Sequence, residues 1–271
     1  MIAARAAASG PPPDELVPHR PRHWLPSVLT AIVGGALIAA LVSGAEEVYE
    51  NVQAQAGLAR IDEPVLSWMV AHRNPTLDAV MTVFTNVGGV LVMTILATVT
   101  TIGLALLWRS WTPVALMVVA CAGSVTMTSV GKDLAGRARP PHELAVPPYE
   151  ASPSFPSGHT LNSTVIAMVI AYLVVIHVES RLARTVTVIG LAVYVVAIGL
   201  SRVYLGHHWF TDVAAGWLIG AAWATVVIMA HRLLVLQGRR RAGPGSNRDA
   251  DDRGAGDRHT DESPVGPASV T

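Results

Sequence analysis

Lysine is almost missing from this sequence. Of 19 basic residues one is Lys, Lys132, and the remaining 18 are Arg. Charge as a whole is scarce: 14% of the 271 residues are Asp, Glu, Lys or Arg, against about a quarter in a soluble domain. That deficit excludes a disordered chain and argues against a typical soluble enzyme. Basic and acidic residues balance at 19 each, so there is no cationic excess of the kind that meets a nucleic-acid backbone. Cysteine is nearly absent as well. The single Cys121 excludes an internal disulfide and any zinc site built on Cys. Residues 1–23 lack the apolar core of a secretory signal and carry Pro11, Pro12, Pro13, Asp14 and Glu15. They read as a disordered cytoplasmic arm.

What is abundant is apolar surface: 51% hydrophobic residues and a mean hydropathy of +0.45. A membrane helix needs about 20 mostly apolar residues, so the gaps between charges locate the crossings. His23–Ala45, Ala79–Trp108, Ser110–Gly131, Thr185–Ser201 and Val213–His231 carry no Asp, Glu, Lys or Arg. A sixth such stretch starts at Ala151, where Pro153 and Pro156 delay the helix. The expected fold is all-α: one polytopic membrane domain over 24–237, with six transmembrane helices near 24–43, 87–108, 113–131, 161–178, 185–201 and 213–231. The tail 238–271, rich in Gly, Pro, Arg and Asp, reads as disordered.

With a cytoplasmic N-terminus, Arg20, Arg22, Arg109, Arg181, Arg184, Arg232, Arg239, Arg240 and Arg241 fall inside, and Arg60, Arg73, Lys132, Arg137, Arg139 and Arg202 outside. The bias follows the positive-inside rule and sharpens if several outer cations belong to a site. Both termini are then cytoplasmic. In the outer segment Glu46–Asp78, residues Leu58, Ile61, Val65, Leu66, Trp68 and Met69 have near-helical spacing. They fit a short amphipathic helix lying on the membrane or, equally, one capping the bundle.

Three polar clusters interrupt the apolar design. Lys132, Arg139 and Pro140 follow the third span. Pro156, Ser157, Gly158 and His159 precede the fourth. Ser201, Arg202, His208 and Asp212 lie between the fifth and sixth. Counting crossings puts all three on one face, the outer one for a cytoplasmic N-terminus. Three converging cations with a Ser hydroxyl and a Gly N–H at a helix start form an oxyanion cradle. His208 and Asp212, four apart, can meet on a helix, and the Asp would fix the imidazole tautomer. A nucleophilic His, an acid His and three cations are the parts of phosphoryl transfer without a metal or cofactor. Only the nearby Asp212 favours His208 over His159 as nucleophile.

These clusters resemble the tripartite signature of the type-2 phosphatidic acid phosphatase superfamily, the lipid phosphate phosphatases: K-x6-R-P, P-S-G-H and S-R-x5-H-x3-D. Every signature position is matched, over roughly residues 60–235. The resemblance implies that Lys132, Arg139, Arg202, Ser157 and Gly158 bind phosphate, that His208 is the nucleophile oriented by Asp212, and that His159 protonates the leaving group. It implies a membrane enzyme hydrolysing a lipid phosphate or diphosphate through a phosphohistidine. Undecaprenyl diphosphate, phosphatidic acid and phosphatidylglycerol phosphate all qualify as substrates, and an Arg-rich, Ala/Val-rich composition favours the first. Phosphotransfer to another acceptor, and an anion or lipid transporter or channel, stand as alternatives. Asp133, Arg137, Pro141 and His142 read as loop structure or, alternatively, as substrate-adjacent, and Glu143 and Glu150 as lacking the partners a metal site would need. Oligomeric state has no signal in the sequence.

Overall fold

The computed structural model describes residues 25–241. The arm 1–23 and the tail from 242 onward lie outside the described residues. Eight α-helices follow one another: α1 Leu25–Ala54, α2 Asp62–Ala71, α3 Pro75–Val87, α4 Val90–Trp108, α5 Thr112–Ala135, α6 Gly158–His177, α7 Arg181–Tyr204 and α8 Phe210–Arg241. Two short 3-10 turns, Gly57–Ile61 and His142–Leu144, sit in the connections. Six of the helices (α1, α4, α5, α6, α7 and α8) are long and apolar enough to cross a membrane. The expected second span starts at Val90 rather than near 87, because Gly88 ends α3 and Gly89 begins α4. α8 runs on to Arg241, past the expected end of the sixth span.

Local signals set the boundaries. Asn74 caps α3 by accepting from Leu77 N at 2.9 Å, with Pro75 in the first turn. Ser180 caps α7 through Ala183 N. α5 ends on Gly136, whose φ of 55° closes a bond back to the Lys132 carbonyl.

α6 and α8 form the centre of the bundle. α1 lies along α8, α5 and α7 flank α6, and α4 packs on α5. The outer helices present Leu29, Ile32, Leu91, Val99, Leu182 and Val193 outward, which suits a hydrocarbon surround. α2 and α3 sit against α7, and α2 also touches α8. Leu66 of α2 is buried while Trp68 is exposed, so the segment caps the bundle.

The α6–α8 contact positions the site. A Cβ built on Gly220 would stand 2.8 Å from the Leu161 carbonyl oxygen. Only Gly allows this approach, and small residues are how membrane helices reach such distances. Gly220→Val is expected to destabilise the protein by about 2 kcal/mol or more. Thermal unfolding in detergent checks it, and an unchanged midpoint would refute the close-packing argument.

Candidate active site

The three clusters converge at one end of the bundle. Lys132 sits in the last turn of α5, Gly158 and His159 open α6, Arg202 closes α7, and His208 lies in the turn before α8. Lys132, Gly158, His159 and His208 line a common cavity of about 830 Å³. The cavity continues between α4, α5 and α6 past Met93, Ala97 and Met117 to Ile102 and Val114. From Val90 to Ile102 that is about 18 Å along a helix, roughly the depth of one leaflet's hydrocarbon.

Arg139 organises the floor. Its Nε donates to the Ser152 carbonyl at 2.7 Å, and its Nη1 donates to the His207 carbonyl at 2.6 Å and approaches His208 Nε2 at 3.3 Å. Lys132 Nζ donates to Ser152 Oγ at 3.2 Å and to the Pro153 carbonyl. An arginine can only donate, so the Arg139 contact assigns Nε2 of His208 as the acceptor and Nδ1 as the protonated nitrogen. Nδ1 faces Ser154 Oγ at 3.3 Å and Asp212 Oδ2 at 3.4 Å. Nε2 therefore keeps its lone pair, on a ring that lines the cavity. This is geometry for a nucleophilic imidazole, and the sequence offered only Asp212 toward it.

His208 and Asp212 do not share a helix. His208 precedes α8, and Asp212, in its first turn, accepts from Trp209 N at 2.9 Å and from Ser154 Oγ. Ser157 N donates to the Asp212 carbonyl at 3.1 Å, which ties the start of α6 to the start of α8. The Ser157 side chain makes no cap bond; its Oγ accepts from Thr160 Oγ1 at 2.9 Å, and the residue has no exposed surface.

Glu150 has a role that the sequence reading did not give it: Oε2 pairs with Arg139 Nη2 at 2.7 Å and Oε1 with Arg202 Nη2. Burial alone would raise its pKa, but the charges of Arg202 and Arg139 outweigh that and hold it at about 2. It is a carboxylate throughout the working pH range. Arg202 is 2% exposed, also donates to Thr85 Oγ1 at 3.2 Å, and its buried Nε has no hydrogen-bond partner. So the two arginines share one carboxylate supplied by the chain itself.

The loop carrying Glu150 is fastened from behind. Arg73 donates to the carbonyls of Leu144 and Tyr204, Val146 N donates to the Leu205 carbonyl, and His207 Nε2 donates to the Val146 carbonyl at 2.6 Å. Gly206 turns there with φ +71°, and a Cβ on it would stand 2.4 Å from the Leu144 carbonyl oxygen. Burial, then the nearby Arg202 charge, lowers the His207 pKa to about 4. Burial likewise pushes His208 well below its ordinary value, helped by Arg202 and Arg139. Both rings are neutral at pH 7.

Arg137 is likewise more than loop structure: it bridges Asp212 and Asp62. No motif marked Asp62, Arg137, Glu150 or Ser154. The one available signal was charge balance, since three cations on one face call for an acidic neighbour.

Comparison with known proteins shows the family. Residues 113–235 match the model of the PAP2 superfamily. Phosphatidylglycerophosphatase B of Bacillus subtilis (strain 168) is 34% identical over 161 residues, covering 59% of this chain and 77% of that protein. A crystal structure described as the first transmembrane PAP2-type phosphatidylglycerolphosphate phosphatase, also from Bacillus subtilis, superposes with a TM-score of 0.57 at 26% identity. The match covers 81% of this chain and 98% of that one. The chain therefore belongs to the PAP2 superfamily and is a multi-pass membrane lipid phosphatase.

Proposed function

We propose that this phosphatase cleaves the terminal phosphate of a lipid through a phosphohistidine on His208, at the extracytoplasmic face, with both termini cytoplasmic. The single observation that carries it is the placement of His208 Nε2 beside Arg139 at the polar mouth of a groove about one leaflet deep. A lipid can keep its tail in that groove while its headgroup reaches the cations. Lys132, Arg139 and Arg202 hold the phosphoryl oxygens, with the Ser157 hydroxyl and the Gly158 N–H at the α6 start. The buried Nε of Arg202 gains an acceptor in the process. His208 attacks phosphorus, Asp212 stabilises the ring as it becomes positive, and His159, across the cavity, gives a proton to the leaving oxygen. Water then releases phosphate.

Phosphatidylglycerol phosphate is the first substrate to test, because the Bacillus subtilis relative is a phosphatidylglycerophosphatase. Undecaprenyl diphosphate, favoured by composition, and phosphatidic acid complete the panel. Purified protein in matched detergent should release inorganic phosphate from at least one of them. Label moving to a lipid or sugar acceptor instead would make the protein a transferase, and anion flux in vesicles without turnover would make it a channel. EDTA should leave the rate unchanged, since three side-chain cations carry the transition-state charge. A rate lost to EDTA and restored by added divalent ion would overturn the metal-free mechanism.

Glu150 must leave the arginines before phosphate can take them. Glu150→Gln removes the competing charge, so inorganic phosphate should inhibit the variant about tenfold more tightly. An unchanged inhibition constant would mean that Glu150 and phosphate do not share the cradle.

A further inference from the structure

Arg137 stands behind the reacting atoms. Its Nη1 donates to Asp212 Oδ1 at 2.6 Å and to Thr211 Oγ1 at 2.8 Å, and its Nη2 donates to Asp62 Oδ2 at 2.7 Å. Asp62, at the start of α2, also accepts from Thr211 N at 2.9 Å and from Thr211 Oγ1 at 2.6 Å. Asp212 has no exposed surface and Asp62 only 2%. The guanidinium lies over the Trp209 ring, 5.6 Å from its centre.

This group is not part of the phosphate cradle. Both Nη atoms of Arg137 are taken by Asp212, Thr211 and Asp62, and it is Arg139, not Arg137, that meets His208 Nε2. Arg137 and Asp62 line a separate polar cavity of about 650 Å³, together with Arg60, Glu63 and Trp209. Arg137 therefore reaches the chemistry only through Asp212.

A buried carboxylate stays ionised only with a counter-charge in contact. The cation paired with Asp212 is Arg137, while Arg139 and Arg202 are paired with Glu150. Arg137 also occupies Oδ1, which leaves Oδ2 for Ser154, Trp209 N and His208 Nδ1. Asp62 holds the far side of the fork, so the guanidinium cannot swing away from Asp212. The geometry points to Arg137 and Asp62 as a positioning pair that keeps Asp212 charged and turned toward His208, fastening α2 to the catalytic turn. The inference rests on the proposed role of His208 as nucleophile.

The test uses the full chain in detergent with phosphatidylglycerol phosphate as substrate and inorganic phosphate as a probe of the cradle. In Arg137→Gln, kcat should fall about thirtyfold or more, while KM and the phosphate inhibition constant stay within about threefold of the parent. Arg137→Lys, which restores the charge, should recover about tenfold of that loss. A kcat within about threefold of the parent, or a loss carried by KM and phosphate binding, overturns the pair. Should Arg137→Gln not fold, Asp62→Asn carries the test, because it keeps shape and leaves Arg137 paired one to one. Its kcat should fall about fivefold at unchanged KM, and a parental kcat overturns the pair. His208→Ala run alongside separates the two claims. Turnover surviving there overturns the phosphohistidine reading and the pair with it. A dead His208→Ala beside an Arg137→Gln of parental kcat overturns the pair alone.

Discussion

His208→Ala should lose at least about a thousandfold in kcat while the protein still inserts, folds and binds inorganic phosphate. The ring is 1% exposed and faces Arg139 on one side and Ser154 with Asp212 on the other. Removing it deletes the nucleophile and leaves Arg139 and Arg202 on Glu150 and Lys132 on Ser152 and Pro153. Substrate labelled in the phosphate should leave acid-labile label on the parent after rapid quenching, and none on the variant. Activity within about tenfold of the parent would refute His208 as nucleophile. The pH dependence carries the same assignment. Burial and two neighbouring arginines hold His208 well below its ordinary pKa, so it remains neutral and nucleophilic as pH falls through 6.5. After allowance for the phosphate's own titration near about 6, kcat/KM should show no acid limb at the usual histidine value. A limb there would mean that His208 titrates freely.

The spans were legible because charge is intolerable in hydrocarbon, and a gap of about 20 residues is hard to produce otherwise. The approximate shared face of Lys132, His159 and His208 was legible for the same reason, since crossings can be counted. Spacing could not show what balances the cations. Glu150 sits in a proline-rich loop without periodicity, and its pairing with Arg139 and Arg202 is purely tertiary. Asp62 was hidden in another way. The apolar pattern from Leu58 to Met69 reports which residues avoid water, and an acidic residue on that helix reads as solvated. In the fold it is buried beneath Arg137 and Thr211. The expectation that His208 and Asp212 share a helix failed on one detail. Asp212 folds back onto Trp209 N, so the helix begins after the histidine, and the turn brings Oδ2 and Nδ1 to 3.4 Å.

Asp212→Asn should cost about a thousandfold in kcat with little change in KM. An amide nearly conserves shape, so packing at a residue with no exposed surface survives. The chemistry does not. In the parent, Arg139 at Nε2 and a carboxylate near Nδ1 agree on one tautomer of His208. An Asn side chain can instead present its NH2 to Nδ1, which favours the proton on Nε2 and removes the lone pair that must attack. The developing positive ring also loses its only carboxylate neighbour at Nδ1. Arg137 does not become an unpaired buried charge, because Asp62 still neutralises it, so the variant should unfold within a few degrees of the parent. Stability and KM near parental values with kcat collapsed would locate the effect in the transition state. A variant that unfolds early, or that loses KM and kcat together, would instead make Asp212 a structural cap of α8 that happens to adjoin a histidine. The two variants differ in one further measurement. The phosphoenzyme should be absent in His208→Ala but detectable in Asp212→Asn over long incubation, since the slow variant retains the atom that carries the phosphoryl group.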